Sequence, residues 1–122
     1  MDVVHFREYC LEKTHVNESF PFNEHTLVFK VAGKMFVLLD LKEGQSANLK
    51  CDPERAIELR ERYEGVHPGY HMSKKHWNTV TVNSDVHDDL LCELIDHSYD
   101  LVVASLPKKT REDLLATNKK SL

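Results

Sequence analysis

Two strand-like runs joined by a two-residue turn decide much of what this chain can fold into. TLVFKV (26–31) and KMFVLLDL (34–41) are rich in β-branched and aromatic residues, and the intervening Ala32-Gly33 predicts a tight hairpin with Gly33 at positive φ. The second run is apolar on both faces, which is typical of a central strand. The next run, ANLKC (47–51), alternates apolar and polar residues and predicts a third, half-buried strand. The chain is therefore expected to form an antiparallel sheet.

Helical periodicity predicts elements before, between and after these strands. A first helix follows Asp2 as its N-cap, and a second follows the cap sequence DPE at 52–54. A long third helix is expected after Ser84 or Asp85, and a short terminal one ends near Leu115. Each of the first three places apolar residues at i, i+3 and i+7 or similar spacing, so each has one face to bury.

The predicted order is α-β-β-β-α-β-β-α, with the last two strands around Tyr70–Met72 and in WNTVTV (77–82). This order suits a two-layer α+β domain with helices on one face of an antiparallel sheet. Residues 1–122 form one domain in this interpretation, with residues 116–122 expected to fray. The second face of the sheet is left for solvent or for a partner.

Composition excludes several classes of protein. Charged residues make up 30% of the 122 residues, no apolar run is long enough for a membrane span, and the N-terminal MDVVHFREYCLEK is too charged for a signal peptide. We therefore expect a cytoplasmic protein without a membrane partner. Cys10, Cys51 and Cys92 are odd in number and form no CxxC pair, so reduced thiols are expected and neither a disulfide framework nor a thiolate metal site is indicated.

The net charge of −4 is unevenly distributed. Residues 83–106 hold six acids and no Lys or Arg, whereas residues 107–122 hold five bases and two acids. Residues 65–82 carry two charges, both from lysines. Proteins that grip phosphates usually have a basic domain or stripe, because their affinity comes from counterion release by Lys and Arg. Only these two short basic segments could supply such a surface here.

The stretch VHPGYHMSKKHWNTV (66–80) has the most unusual composition in the chain. His67 and His71 have the spacing of metal ligands on a helix, but Pro68 and Gly69 between them prevent a regular helix. Ser73 has neither a glycine-rich elbow nor an adjacent acid. With no triad, phosphate loop or metal cluster visible, we expect a non-enzymatic protein with no metal and no cofactor.

Nucleic-acid contact matches the residue types of this stretch better. Lysines and protonated histidines can contact phosphates, aromatic rings can stack on bases, and an asparagine can read a base edge. The candidate contact residues are Tyr70, His71, Lys74, Lys75, His76, Trp77, Asn78, Lys108, Lys109 and Arg111. A purely structural interpretation stays open, with a Pro-Gly turn, a core tryptophan and a solvated lysine tip, as does a groove for a peptide or a small ligand. Three histidines would make nucleic-acid binding stronger at mildly acidic pH.

Four blocks of sequence also resemble a known family. FPFNEHTLVFKVAGKMFVLL, NLKCDPERAIELRERY, VHPGYHMSKKHWNTV and LIDHSYDLVVASLPKKTR are similar to the MmcQ/YjbR family of small bacterial proteins, from about Val16 to Arg111. Asn23 stands where that family often has glycine. The resemblance implies a YjbR-like α+β fold, similar in topology to type III secretion chaperones.

The same resemblance implies DNA binding, a function inferred for the family from its likeness to a double-winged domain of a phage transcription factor. Two functional hypotheses follow. In one the protein binds DNA, and in the other it is an interaction or chaperone-like module that uses the open face of its sheet to bind another protein.

Overall fold

The computed structural model describes residues 1–42 and 45–120 and shows an α+β domain with its helices on one face of an antiparallel sheet, which confirms the predicted fold class. The helices and strands, in chain order, are α1 (Val3–Leu11), β1 (Val16–Ser19), β2 (Thr26–Val31), β3 (Lys34–Asp40), β4 (Ser46–Lys50), α2 (Pro53–Arg62), β5 (Val66–Pro68), β6 (Trp77–Thr81), α3 (Asp88–Ala104) and α4 (Lys108–Lys120).

The described strands form one sheet in the order β1-β2-β3-β4-β6-β5, and every neighbouring pair is antiparallel. The predicted hairpin joins β2 to β3, with Ala32 at φ 48° and Gly33 at φ 83°. Positive φ at both central residues is the geometry of a type I′ turn, whose twist matches the flanking strands. A bulge between Phe29 and Lys30 shifts the register of β2 against β3.

The alternation of side chains along the strands separates two faces of the sheet. One face contributes residues such as Phe29, Leu39, Leu49 and Val80 to the hydrophobic core, which the helices close with side chains from α1, α2, α3 and α4. The opposite face, here called the open face, carries Thr26, Leu38, Ser46, Asn48 and Thr79.

Three sequence predictions about elements need correction. A strand is absent from Tyr70–Met72, because the strand that pairs with β6 comes earlier, at β5, and those residues belong to the following loop. The edge strand β1 was not predicted, and it pairs with β2. The terminal helix α4 also continues past its predicted end near Leu115 to Lys120; residues 121 and 122 lie outside the described part.

The start of α3 was also predicted wrongly. The helix begins at Asp88, and its N-cap His87 makes no side-chain capping bond. Asp85 instead accepts hydrogen bonds from the backbone N–H groups of Glu64 (2.7 Å) and Gly65 (2.8 Å), which tie the end of α2 to the loop before α3. These N–H donors lower the pKa of the Asp85 carboxyl, the Gly65 N–H most strongly. No helix in the described ranges has the length and apolar character needed to cross a membrane.

Candidate nucleic-acid interface

A cleft of about 480 Å³ lies on the open face of the sheet. Its floor consists of open-face side chains of β2, β3, β4 and β6, namely Thr26, Leu38, Ser46, Asn48 and Thr79. Its walls are two loops, residues 20–25 before β2 and residues 69–76 before β6. The cleft thus combines an amide, hydroxyls and an apolar side chain with walls from two separate parts of the chain.

A short hydrogen-bond chain fixes the 69–76 loop above the sheet. The Thr79 hydroxyl donates to Asn48 Oδ1 (2.5 Å) and accepts from the Tyr70 N–H (2.9 Å), while Asn48 Nδ2 donates to the Tyr70 carbonyl (3.3 Å). Both backbone groups of Tyr70 are thereby held, although its side chain is 68% exposed. The ring contacts that of His71, with centroids 4.0 Å apart.

Gly69 allows this loop to fold back so closely. A Cβ at this position would lie 2.8 Å from Trp77 Cβ and 2.9 Å from the Trp77 carbonyl oxygen, so no larger residue fits without displacing the strand. The Gly69 N–H donates to that same carbonyl at 2.9 Å.

The facing wall presents a second exposed aromatic ring. Phe22 is 62% exposed and lines the cleft. The loop that carries it is shaped by Asn23, whose Oδ1 accepts hydrogen bonds from the N–H groups of His25 (3.0 Å) and Thr26 (2.8 Å). Exposed aromatic rings therefore project from both walls of one cleft.

A group of lysines lies at one end of the same sheet. Lys34 begins β3, Lys50 ends β4, and Lys74 and Lys75 lie three and two residues before β6, so the antiparallel pairing brings them to the same end. Lys30, at the end of β2, joins them. We call these five lysines the basic end. Among the described residues none of the five forms an ion pair.

The basic end borders a second concavity, lined by Lys30, Gly33, Lys34, Met35, Lys50, Val102 and Ser105. None of the described acidic side chains lines it. Met35 lines both this concavity and the open-face cleft, so the two depressions adjoin at this residue.

The structure brings several of the predicted contact residues together. Tyr70 and His71 line the cleft, and Lys74, Lys75 and His76 are exposed on the 69–76 loop. The bases of α4 begin three residues after Ser105, which places that helix start beside the basic end. They are Lys108, Lys109 and Arg111, all exposed, and Lys108 pairs with Glu112 at 4.0 Å.

Asn78 is placed differently from the other predicted contacts. It is only 2% exposed and lies on the helix side of the sheet. Its Oδ1 accepts from Arg60 Nε (2.7 Å), and its Nδ2 donates to the Ala56 carbonyl (3.3 Å). Arg60 also donates to the carbonyl of Lys74, which ties the 69–76 loop to α2. We therefore assign Asn78 to the support of this loop and leave it out of the proposed interface. Trp77 is half-buried at the start of β6.

Sequence reasoning did not name Phe22, Lys30, Lys34, Asn48 and Lys50 as site residues. The alternation in residues 47–51 did place Asn48 and Lys50 on the face of the sheet opposite the core. The sequence pattern therefore indicated the orientation of one residue in the cleft floor and of one lysine of the basic end. The contribution of Phe22 depends on a loop conformation that no periodic pattern encodes.

The cysteines offer little nucleophilic chemistry. All three are free; Cys10 and Cys51 are buried and Cys92 is half-buried. Burial raises the pKa of the Cys51 thiol to about 11 and raises that of Cys10 further. In the described part of the chain, no three His, Cys, Asp or Glu side chains are grouped so that they could hold a metal ion.

Comparisons with known proteins place the chain among proteins of similar length. A family model described as YjbR matches residues 11–101. The uncharacterized protein YbdF of Escherichia coli O157:H7 is 38% identical over 104 residues, which is 84% of this chain and 85% of that protein. The uncharacterized protein YjbR of Escherichia coli K12 is 30% identical over 116 residues, covering 94% and 98% respectively.

The fold has been seen in solved structures. The crystal structure of Deinococcus radiodurans protein DR2400, described as family-model domain DUF419, superimposes with a TM-score of 0.87 at 42% identity. The match covers 92% of this chain and 86% of that one. A crystal structure of a protein from Pseudomonas syringae matches with a TM-score of 0.73 at 28% identity, covering 83% of this chain and 98% of that one.

Proposed function

The chain belongs to the YjbR family, and we propose that it is a non-enzymatic protein that binds DNA through the basic end of its sheet. The observation that carries the proposal is the position of five lysines at one end of the sheet, three of which, Lys30, Lys34 and Lys50, line a concavity to which the described residues contribute no carboxylate. Lysines that form no ion pair attract phosphates through counterion release.

The dimensions of the basic end suit a nucleic-acid backbone. From β2 to β6 there are three strand spacings, which is about 14 Å. Duplex DNA carries one charge per roughly 1.7 Å of axis, so several phosphates can lie within that span. The Gly33 turn and the 69–76 loop both lie at this end of the sheet.

A pair of matched charge reversals tests the proposal. Lys34 is the first residue of β3, at the basic end, and Lys42 lies two residues beyond the other end of the same strand. Both lysines are exposed. Lys34→Glu and Lys42→Glu therefore change the net charge equally at opposite ends of the sheet. Binding of a fluorescein-labelled oligonucleotide is measured by anisotropy as a function of salt for each variant.

The wild-type protein is expected to bind with an affinity that falls with salt, and Lys34→Glu should reduce the slope of log K against log salt by about 1. Lys42→Glu should retain the wild-type slope, and the double change of Lys74 and Lys75 to Glu should weaken binding further. An equal loss in Lys34→Glu and Lys42→Glu would show that net charge and not the basic end matters. Absence of binding to duplex and single-stranded DNA at low salt contradicts the proposal altogether.

The exposed aromatic residues of the open face favour one second candidate, a protein-interaction or chaperone-like module. Phe22 and Tyr70, which line the cleft, are large apolar side chains with much of their surface exposed, which is common at interaction sites, and Phe20 on the same loop as Phe22 is also exposed. A strictly monomeric protein in sedimentation, together with a lysate pull-down that enriches the same proteins with wild type and with a Phe22→Ser/Tyr70→Ser variant, would exclude this candidate.

A further inference from the structure

The open-face cleft and the concavity of the basic end are neighbours, because Met35 lines both depressions. The same loop also serves both: Tyr70, His71 and Met72 line the cleft, and Lys74 and Lys75 follow within the next few residues. A strand whose phosphates lie along the basic end would therefore have its bases beside the cleft. This arrangement matches that of proteins that bind single strands, which combine a positive groove with aromatic stacking platforms.

The strands that carry the two wall loops are far enough apart to admit a flat ring between them. The loops precede β2 and β6, whose backbones are three strand spacings, or about 14 Å, apart. Stacked aromatic rings have centroids roughly 4.5 to 7 Å apart, so a ring between two aromatic side chains needs about 9 to 14 Å. Phe22 and Tyr70 supply one exposed ring on each wall.

The floor offers hydrogen-bonding groups of both kinds. Asn48 uses Oδ1 to accept from Thr79 and one Nδ2 hydrogen to donate to the Tyr70 carbonyl, which leaves a second amide hydrogen. The Asp40 carboxylate also lines the cleft, and one of its oxygens accepts a hydrogen bond from the Lys42 N–H. Ser46 adds a hydroxyl. Base edges present both donors and acceptors, so a mixed floor suits a nucleobase better than it suits a purely apolar ligand.

From these observations we infer that the open-face cleft holds one unstacked base of single-stranded DNA between Phe22 and Tyr70 while the basic end holds the adjoining phosphates. The inference rests on the proposed function and deepens it, since it specifies single strands and assigns the base site. Only an unpaired strand can place a base there, because a base within a duplex is stacked and paired.

The chain offers a matched control for the test. Phe20 and Phe22 lie on the same loop and both are exposed, at 48% and 62%, but only Phe22 lines the cleft. Phe22→Ala, Phe20→Ala and Tyr70→Ala are measured against a labelled single strand of about ten nucleotides, the same strand with abasic sites, and a duplex of equal length. Thermal melts of each variant confirm folding.

Loss of one stacking side chain is expected to weaken single-strand binding roughly 5- to 150-fold. Phe22→Ala and Tyr70→Ala should show this loss, and Phe20→Ala should not. The abasic strand should bind the wild-type protein more weakly and should be insensitive to Phe22→Ala.

The experiments test the base site and the basic end separately. Salt-dependent binding that is reduced by Lys34→Glu but unchanged by Phe22→Ala, by Tyr70→Ala and by abasic sites would overturn the base site and leave the proposed function standing. Binding that depends on Phe22 and Tyr70 but not on Lys34 would support the base site and overturn the basic end. If no strand binds at low salt, both are wrong.

Discussion

The hydroxyl of Ser98 joins two strands at a place where their ladder ends. Pairing of β3 with β4 stops at Val37 and Leu49, next to the bulged segment of β3. Beyond that point the Ser98 hydroxyl donates to the Phe36 carbonyl (2.6 Å) and accepts from the Lys50 N–H (2.9 Å). Because the Ser98 side chain on α3 is fully buried, one hydroxyl replaces a missing ladder contact and ties the helix to both strands.

Ser98→Ala removes the hydroxyl and therefore both of its hydrogen bonds. It leaves the Phe36 carbonyl and the Lys50 N–H without that hydrogen bond, and each buried backbone group left unsatisfied costs about 1 to 3 kcal/mol. Lys50 is half-buried, so its N–H recovers part of the loss from water. We expect the free energy of unfolding to fall by about 3 kcal/mol, which lowers the melting temperature of a domain of this size by roughly 10 °C.

Ser105→Ala is the matched control for this prediction. Ser105 follows the same helix, is exposed, and donates its hydroxyl only to the Val102 carbonyl at 2.6 Å. Urea unfolding followed by circular dichroism should give a change of less than about 0.5 kcal/mol for this variant. Amide hydrogen exchange at Lys50 should accelerate in Ser98→Ala alone. Equal stabilities for the two variants, with unchanged exchange at Lys50, would refute the bridging explanation.

Two further predictions concern the turn and the acid side of the pH range. Ala32→Asn should stabilise the protein by about 0.5 to 1 kcal/mol in urea unfolding, because Ala32 has φ 48° and asparagine tolerates this conformation better. Ala32→Val should destabilise the protein, because a β-branched residue tolerates positive φ poorly. A Val variant more stable than the Asn variant would show that backbone strain at position 32 is not the cause. His97 Nε2 accepts from the Asp52 N–H at 3.1 Å, and burial followed by the Arg55 charge lowers its pKa. As the pH falls below about 6.5, His97 is protonated in the unfolded chain before it is protonated in the folded protein. The stability that the neutral His97 contributes is therefore present above about pH 6.5 and is lost as the pH falls. Urea midpoints at pH 7.5 and 5.5 should decrease less in His97→Gln than in wild type, and parallel decreases would exclude His97 as the cause.

Strong local signals account for the parts of the fold that the sequence predicted correctly. The hairpin at Gly33, the cap at Asp52 and the alternation at Leu49 depend on neighbouring residues alone, and all three are present in the structure. Asp2 likewise caps α1, where its Oδ1 accepts from the His5 N–H at 2.8 Å.

The elements that were missed have signals that depend on distant parts of the chain. β1 has the sequence VNES, with half-buried and exposed positions only, and short polar edge strands lack the β-branched pattern of central strands. Asp85 looked like a helix cap because aspartate favours that position, but its carboxylate is used by Glu64 and Gly65, some 20 residues earlier. Nothing local distinguishes the two uses.

Only part of the candidate site could be predicted, because the rest depends on residues that are distant in sequence. The composition of residues 66–80 drew attention to Tyr70, His71, Lys74 and Lys75, but the basic end also needs strands β2, β3 and β4, which are far away in sequence. Only the sheet order brings Lys34 and Lys50 to the end at which the 69–76 loop folds back.

Sheet order also explains how a chain of net charge −4 can present a surface for phosphates. The acids of α3 contribute much of that charge. Two of them, Asp88 and Asp89, begin the helix, whereas Val102 and Ser105 near its other end line the concavity of the basic end. A helix of 17 residues is about 25 Å long, three times the Debye length of about 8 Å at physiological ionic strength. A phosphate at the basic end is therefore screened from the acids of the first turn but not from Asp100, which is exposed two residues before Val102. The local arrangement of charges, rather than the net charge, governs what the phosphate meets.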